Sequence, residues 1–119
     1  MKKILIIEND QAILDLMSYI LEEEGHQIFT STNSSVLYEE NIEPDLILLD
    51  QTLGIEQGSD VCLKLKQDPK TALIPIILIS AVNQLDKLAS ECKADGYIEK
   101  PFDIENFIRI VNDHLTSKP

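Results

Sequence analysis

Four stretches of this chain set a chemically capable side chain at the end of an apolar run. Lys3-Ile4-Leu5-Ile6-Ile7 is followed by Glu8, Asn9 and Asp10, and Asp45-Leu46-Ile47-Leu48-Leu49 by Asp50; the run ending in Ile77-Leu78-Ile79 meets Ser80, and Gly96-Tyr97-Ile98-Glu99 meets Lys100. Brought together, two or three carboxylates, a hydroxyl and one lysine carry too much like-signed charge to gather without a cation. Mg²⁺ suits such a set, being hard, octahedral and held by one or two carboxylates plus waters and phosphate oxygens; Mn²⁺ is the obvious substitute. Asp50 can then act as a nucleophile on phosphorus, giving an acyl phosphate whose charge the metal and Lys100 neutralise, with Ser80 donating to a phosphoryl oxygen.

A single acid at a strand end is more often a helix cap or a solvated loop residue, and for Asp10 the cap carries more weight than a role in chemistry. For the set as a whole that explanation fails, because Asp50, Ser80 and Lys100 would each need a separate excuse for standing where an apolar run stops.

The elements that must position these residues alternate between strand and helix. Lys3 to Ile7 is β-branched and apolar without polar alternation, as expected of a strand covered on both faces. After Asp10 as N-cap, Ile13, Leu14, Met17, Ile20 and Leu21 recur at helical spacing, and Gly25 stops the helix. Gln27 to Thr30 is a short second strand, Ser34 to Glu40 a weak second helix, and Asp45 to Asp50, opened by Pro44, the most buried strand in character. A loop with Gly54 and Gly58 leads into a helix from about Ser59 to Gln67. Ile74 to Ile79 forms the fourth strand, with Pro75 near its start where a missing N–H does least harm. Leu85, Leu88, Ala89 and Cys92 stripe a fourth helix, and Gly96 to Glu99 is the fifth strand. Asp103 caps a fifth helix striped by Ile104, Phe107, Ile108, Val111 and Leu115; Thr116 to Pro119 is a polar tail or the start of a linker.

Five βα units without a hairpin signal predict a doubly wound α/β domain spanning residues 1–119: a five-stranded parallel sheet with helices on both faces. In a flavodoxin-like strand order of 2-1-3-4-5, strands 1, 3, 4 and 5 are adjacent, so their carboxyl ends converge on one crevice, where such sheets bind ligands.

Composition narrows the function. Ten Lys and Arg against 21 Asp and Glu give a net charge of −11, which repels phosphate backbones and anionic lipids, so no direct nucleic-acid or membrane binding is expected. No apolar run approaches the ~20 residues of a membrane span, and the N-terminus lacks a signal peptide's apolar length and cleavage site, pointing to the cytoplasm. Cys62 and Cys92 form no CxxC pair and are expected as buried thiols, and the lone His26 and His114 as structural residues.

Taken in order and spacing, Ile4-Leu5-Ile6-Ile7-Glu8-Asn9-Asp10, Pro44-Asp45-Leu46-Ile47-Leu48-Leu49-Asp50, Ile77-Leu78-Ile79-Ser80-Ala81 and Gly96-Tyr97-Ile98-Glu99-Lys100-Pro101-Phe102 resemble the signature segments of response-regulator receiver domains of two-component signalling, over essentially the whole chain. The resemblance implies that Asp50 is the phosphoacceptor, that Glu8 and Asn9 occupy the metal-binding acidic pair, and that the backbone carbonyl of Thr52 is a further metal ligand. It likewise implies Ser80 as the switch hydroxyl, Tyr97 as the aromatic rotamer switch, Lys100 as the phosphate-binding lysine, and a cis peptide before Pro101. Three departures bear on metal affinity and loop rigidity: neutral Asn9 at the second acidic position, the longer Glu8 at the first, and Gly54 where the family usually has proline.

The expected function is a phosphorylation-operated switch, not a turnover enzyme. It takes a phosphoryl group from a histidine kinase or phosphotransfer protein and repacks its face of helix 4, strand 5 and helix 5, through which it controls a downstream protein or output domain, with a homodimer through that face as one arrangement. The alternative is a pseudo-receiver, a protein-interaction module independent of phosphate, for which Asn9 is the one supporting feature. An aspartate-nucleophile phosphatase needs an acid two residues after the nucleophile, where Thr52 stands. An FMN carrier needs a phosphate cradle of Gly, Ser or Thr where Glu8-Asn9-Asp10 stands.

Overall fold

The computed structural model of the chain describes residues 2–39 and 42–116. Its main sheet is parallel and ordered β2-β1-β3-β6-β7, built from β1 (Lys3–Ile7), β2 (Gln27–Ser31), β3 (Leu46–Asp50), β6 (Ile76–Ser80) and β7 (Gly96–Glu99). Counting only these five strands along the chain, this is the expected 2-1-3-4-5 order. The helices are α1 (Gln11–Glu23), α2 (Val36–Glu39), α3 (Gly58–Gln67), α4 (Leu85–Glu91) and α5 (Ile104–Thr116).

The pleat of the strands sorts their apolar side chains into two cores. Ile4, Ile6, Leu46, Leu48, Ile77 and Ile79 face α1 and α5 through Leu14, Met17, Phe107 and Val111. Leu5, Ile7, Ile47, Leu49, Ile76 and Leu78 face the other way, toward Val61, Cys62 and Leu65 of α3 and Leu85 and Ala89 of α4. Helices therefore cover both faces, which is why the strands carry continuous apolar runs. At about 1.5–3 kcal/mol per fully buried Leu or Ile, the central strands β1, β3 and β6 hold the sheet together and fix the height at which each strand ends.

The helix signals behave largely as their chemistry dictates. Asp10 caps α1, its Oδ1 accepting from the N–H groups of Ala12 and Ile13. Asp103 caps α5 through Asn106 N–H at 3.0 Å, and the Lys100–Pro101 peptide is cis. Both cysteines are free and buried, and burial pushes the Cys62 thiol up to about 12. The second helix is shorter than expected, starting at Val36, and Glu40 lies outside the described residues, as do 117–119 of the expected tail.

Two expectations need correction. The loop after β3 contains a small antiparallel ribbon, β4 (Thr52–Leu53) with β5 (Glu56–Gln57), although no hairpin was expected. Gly54, at φ +70°, is its turn, the Gly-X pattern of a type II′ connection; strands of two residues are too short to alternate. Ile104 is not in the core stripe of α5. It is 49% exposed, and Phe102, just before the helix, packs on Phe107 instead with ring centroids 4.9 Å apart.

Candidate functional site

Because β1, β3, β6 and β7 are neighbours pointing the same way, Glu8, Asp50, Ser80 and Lys100 emerge at one edge of the sheet. Together with Asn9, Thr52 and Val82 they line a cleft of about 410 Å³. The site is assembled from backbone inward. Asp50 Oδ2 accepts from Asn9 N–H at 3.2 Å and Oδ1 from Thr52 N–H at 3.1 Å, so both carboxylate oxygens are oriented by main chain, one from the loop after β1 and one from the segment that continues β3. Lys100 Nζ lies 3.0 Å from Glu8 Oε1, 3.1 Å from Glu8 Oε2 and 3.7 Å from Asp50 Oδ1. Ser80 Oγ accepts from Val82 N–H at 3.2 Å, and the Lys100 N–H donates to the Ser80 carbonyl at 2.9 Å, joining the ends of β6 and β7.

Burial makes these charges consequential. Glu8 is 1% exposed and Asp50 4%. Burial, with the Asp50 carboxylate beside it, pushes the Glu8 carboxyl up to about 7, against the lowering effect of the Asp10 N–H and of Lys100. Glu8 Oε1 has the Lys100 ammonium nearby but makes no hydrogen bond, leaving a buried carboxylate oxygen with open coordination.

That open oxygen, the adjacent Asp50 carboxylate and the position of Thr52 beside it fit a hard divalent cation. The donor set has two carboxylates, Glu8 and Asp50, the lower of the two or three expected. Asp10 also lines the cleft but commits its Oδ1 to capping α1, and among the described residues no group of three or more His, Cys, Asp and Glu gathers. Asn9 stands at the cleft with a neutral amide.

Tyr97 is not in this cleft. It is 40% exposed and lines a separate groove of about 900 Å³ between β7 and α5, with Phe102, Asn106 and Arg109. Val82 is exposed at the rim of the cleft, as is Thr52. Sequence reasoning missed Gln51 and Ser59, both buried and bonded to each other across the loop that follows Asp50. Their only signal was the loop glycine between them: a Cβ on Gly58 would lie 2.2 Å from the Asp50 carbonyl oxygen, so α3 starts against the backbone of Asp50 and needs glycine there.

The family model of the response regulator receiver domain matches residues 4–112. The DNA-binding dual master transcriptional regulator RpaA of Synechocystis is 38% identical over 112 residues, covering 91% of this chain and 46% of that protein, so the chain spans about half the length of this curated relative. The receiver domain of a signal transduction histidine kinase from Syntrophus aciditrophicus superposes with a TM-score of 0.89 at 29% identity, over 98% of this chain and 92% of that one. A sensor histidine kinase receiver domain from Pseudomonas aeruginosa, solved with magnesium coordinated in its active-site cleft, shares the fold, with a TM-score of 0.84 at 19% identity over 96% of this chain and 97% of that one. Among the described residues no helix is long and apolar enough to cross a membrane.

Proposed function

This chain belongs to the response regulator receiver domain family, a family of signalling switches, and on that premise we propose that it accepts a phosphoryl group on Asp50 from a histidine kinase or phosphotransfer protein. The observation that carries the reading is the meeting of Lys100 with Glu8 and Asp50, residues up to 92 apart in sequence, at the mouth of a cleft wide enough for a phosphoryl group. Residues 1–119 then form one receiver domain in the cytoplasm.

In the transfer step an Asp50 carboxylate oxygen forms the new bond to phosphorus as the P–N bond to the donor imidazole breaks, its electron pair staying on the ring nitrogen, which is protonated by solvent. The Asn9 and Thr52 N–H groups hold the carboxylate in place, and the Lys100 ammonium offsets charge on the phosphoryl oxygens. Mg²⁺ or Mn²⁺, held by Glu8, Asn9, Asp50 and the Thr52 carbonyl, would supply charge neutralisation at those oxygens. Ser80 then leaves the Val82 N–H to donate to the phosphoryl group, which opens space beside β6 for Tyr97 to turn in from the groove it now lines. The repacked face of α4, β7 and α5 binds a partner protein, an output domain or a second copy of the chain. With a net charge of −11, contact with nucleic acid falls to that partner or domain.

A pseudo-receiver is the second reading, favoured by the neutral Asn9 and the two-carboxylate donor set. Incubation with acetyl phosphate and Mg²⁺ followed by intact mass separates the two: a gain of one phosphate supports the switch, and no gain at any Mg²⁺ concentration supports the pseudo-receiver.

A further inference from the structure

We infer that Gln51 is a positioning residue that clasps the start of α3 and thereby fixes the loop carrying Thr52 beside Asp50; the inference rests on the reading of Asp50 as phosphoacceptor. Helix N-termini leave N–H groups without intrahelical partners, which a side chain at the N-cap usually satisfies. In α3 the N-cap, Gln57, makes no side-chain bond. The partner comes instead from across the loop: Gln51 Oε1 accepts from Ser59 N–H at 2.7 Å, and Gln51 Nε2 donates to Ser59 Oγ at 3.1 Å. The two residues are 7% and 8% exposed, so neither bond is readily replaced by water.

The main chain of Gln51 is committed as well. Its carbonyl accepts from Gly58 N–H at 2.8 Å and its N–H donates to the Ile79 carbonyl at 3.0 Å. Gln51 therefore ties β3, β6 and α3 at one point, and closes the ribbon of residues 52–57 into a loop with fixed ends. At the other end of the ribbon Ser34 Oγ donates to Glu56 Oε1 at 2.6 Å, but that bond is less buried. Thr52, whose N–H orients Asp50 Oδ1 and whose carbonyl is the proposed metal ligand, is the first residue inside the closed loop. Proline would stiffen such a loop through its own backbone. Here the turn residue is Gly54, and a side-chain clasp at the base takes over the stiffening.

Removing Gln51 leaves the buried Ser59 N–H unpaired, so the first turn of α3 and the ribbon should loosen together. The experiment compares wild type, Gln51→Leu and Gln51→Glu by amide hydrogen exchange over residues 52–57 without metal, by Mg²⁺ titration, and by the rate of acetyl phosphate labelling at saturating Mg²⁺. For Gln51→Leu, exchange should rise, the Mg²⁺ Kd should rise and labelling should slow, each by about tenfold, while Gln51→Glu, which can still accept both Ser59 donors, should restore slow exchange. A folded Gln51→Leu protein that is merely less thermostable, with wild-type exchange, Kd and labelling rate, would overturn the inference. If Gln51→Leu does not fold, Ser59→Ala removes only the hydroxyl bond and should give the same changes at about threefold, and no change there overturns the inference equally. Should wild type take no label at all, the phosphoacceptor reading fails, while the exchange data still decide whether Gln51 holds the loop.

Discussion

Lys100 holds its ammonium 3.0 Å from Glu8 Oε1 and 3.7 Å from Asp50 Oδ1, so before phosphorylation it pairs more closely with Glu8 than with the residue proposed to receive phosphate. Phosphorylation would add charge on the Asp50 side and draw the ammonium across, carrying the end of β7 with it. In Lys100→Ala, acetyl phosphate should still label the protein, slowed by up to about a hundredfold, but the amide and ring NMR signals around Tyr97 should no longer move with the label. Tyr97 shifts that follow labelling unchanged in this variant would show that Lys100 does not couple the two.

Glu8 makes the metal-free protein sensitive to pH. Its folded carboxyl sits at about 7 against a reference of 4.5, so between those values the folded state binds a proton that the unfolded chain has released. Stability therefore falls as pH rises from about 4.5 to about 7, and the full penalty remains above that. In chelator at pH 8, Glu8→Gln should melt a few degrees higher than wild type, about 4 °C or more per kcal/mol relieved, with a much smaller difference near pH 5. Melting temperatures at the two pH values decide it; a variant that melts lower at pH 8 would mean that the Lys100 pair outweighs burial.

Asn9 should weaken divalent binding. One further unit charge about 4 Å from the ion adds at most about 4 kcal/mol per unit charge at an effective dielectric of 20. Calorimetric Mg²⁺ titration of Asn9→Asp should show binding at least about tenfold tighter, which requires only ~1.4 kcal/mol of that ceiling. An unchanged titration would place Asn9 outside the coordination shell.

The phosphorylated form should be long-lived. Hydrolysis needs a water in line with the P–O bond, and the side chains two residues beyond Asp50 and two beyond Ser80 are those best placed to hold it. These are Thr52, with one short hydroxyl, and Val82, with none. Val82→Glu and Thr52→Asn should each speed loss of phosphate after donor removal, within the range of about 10² to 10⁴ that positioned groups contribute. Equal decay of wild type and variants would mean that water access is not limited at these positions.

The parts of this fold that follow short-range rules were legible in the chain. The apolar runs at Ile4 to Ile7, Leu46 to Leu49 and Ile76 to Ile79 stand at the centre of the sheet because only a strand covered on both faces tolerates them, and Asp10 and Asp103 cap as their side chains permit. What escaped depends on partners distant in sequence. Gln51 looks like any polar loop residue until Ser59 is brought against it, and Ile104 fits the helical period of α5 but Phe102 covers that part of the core. The ribbon was hidden because two-residue strands have no periodicity to detect, although Gly54-Ile55 is a permissible hairpin turn.

Whether Asp50 is the phosphoacceptor is decided by where the phosphate goes. Wild type and Asp50→Asn are incubated with acetyl phosphate and Mg²⁺, and the mark is located by mass spectrometry of acid-quenched proteolytic peptides. One phosphate is expected on wild type, confined to the peptide containing Asp50, and none on Asp50→Asn. A phosphate on Asp10 or Asp60, or an undiminished gain in Asp50→Asn, would contradict the assignment of Asp50.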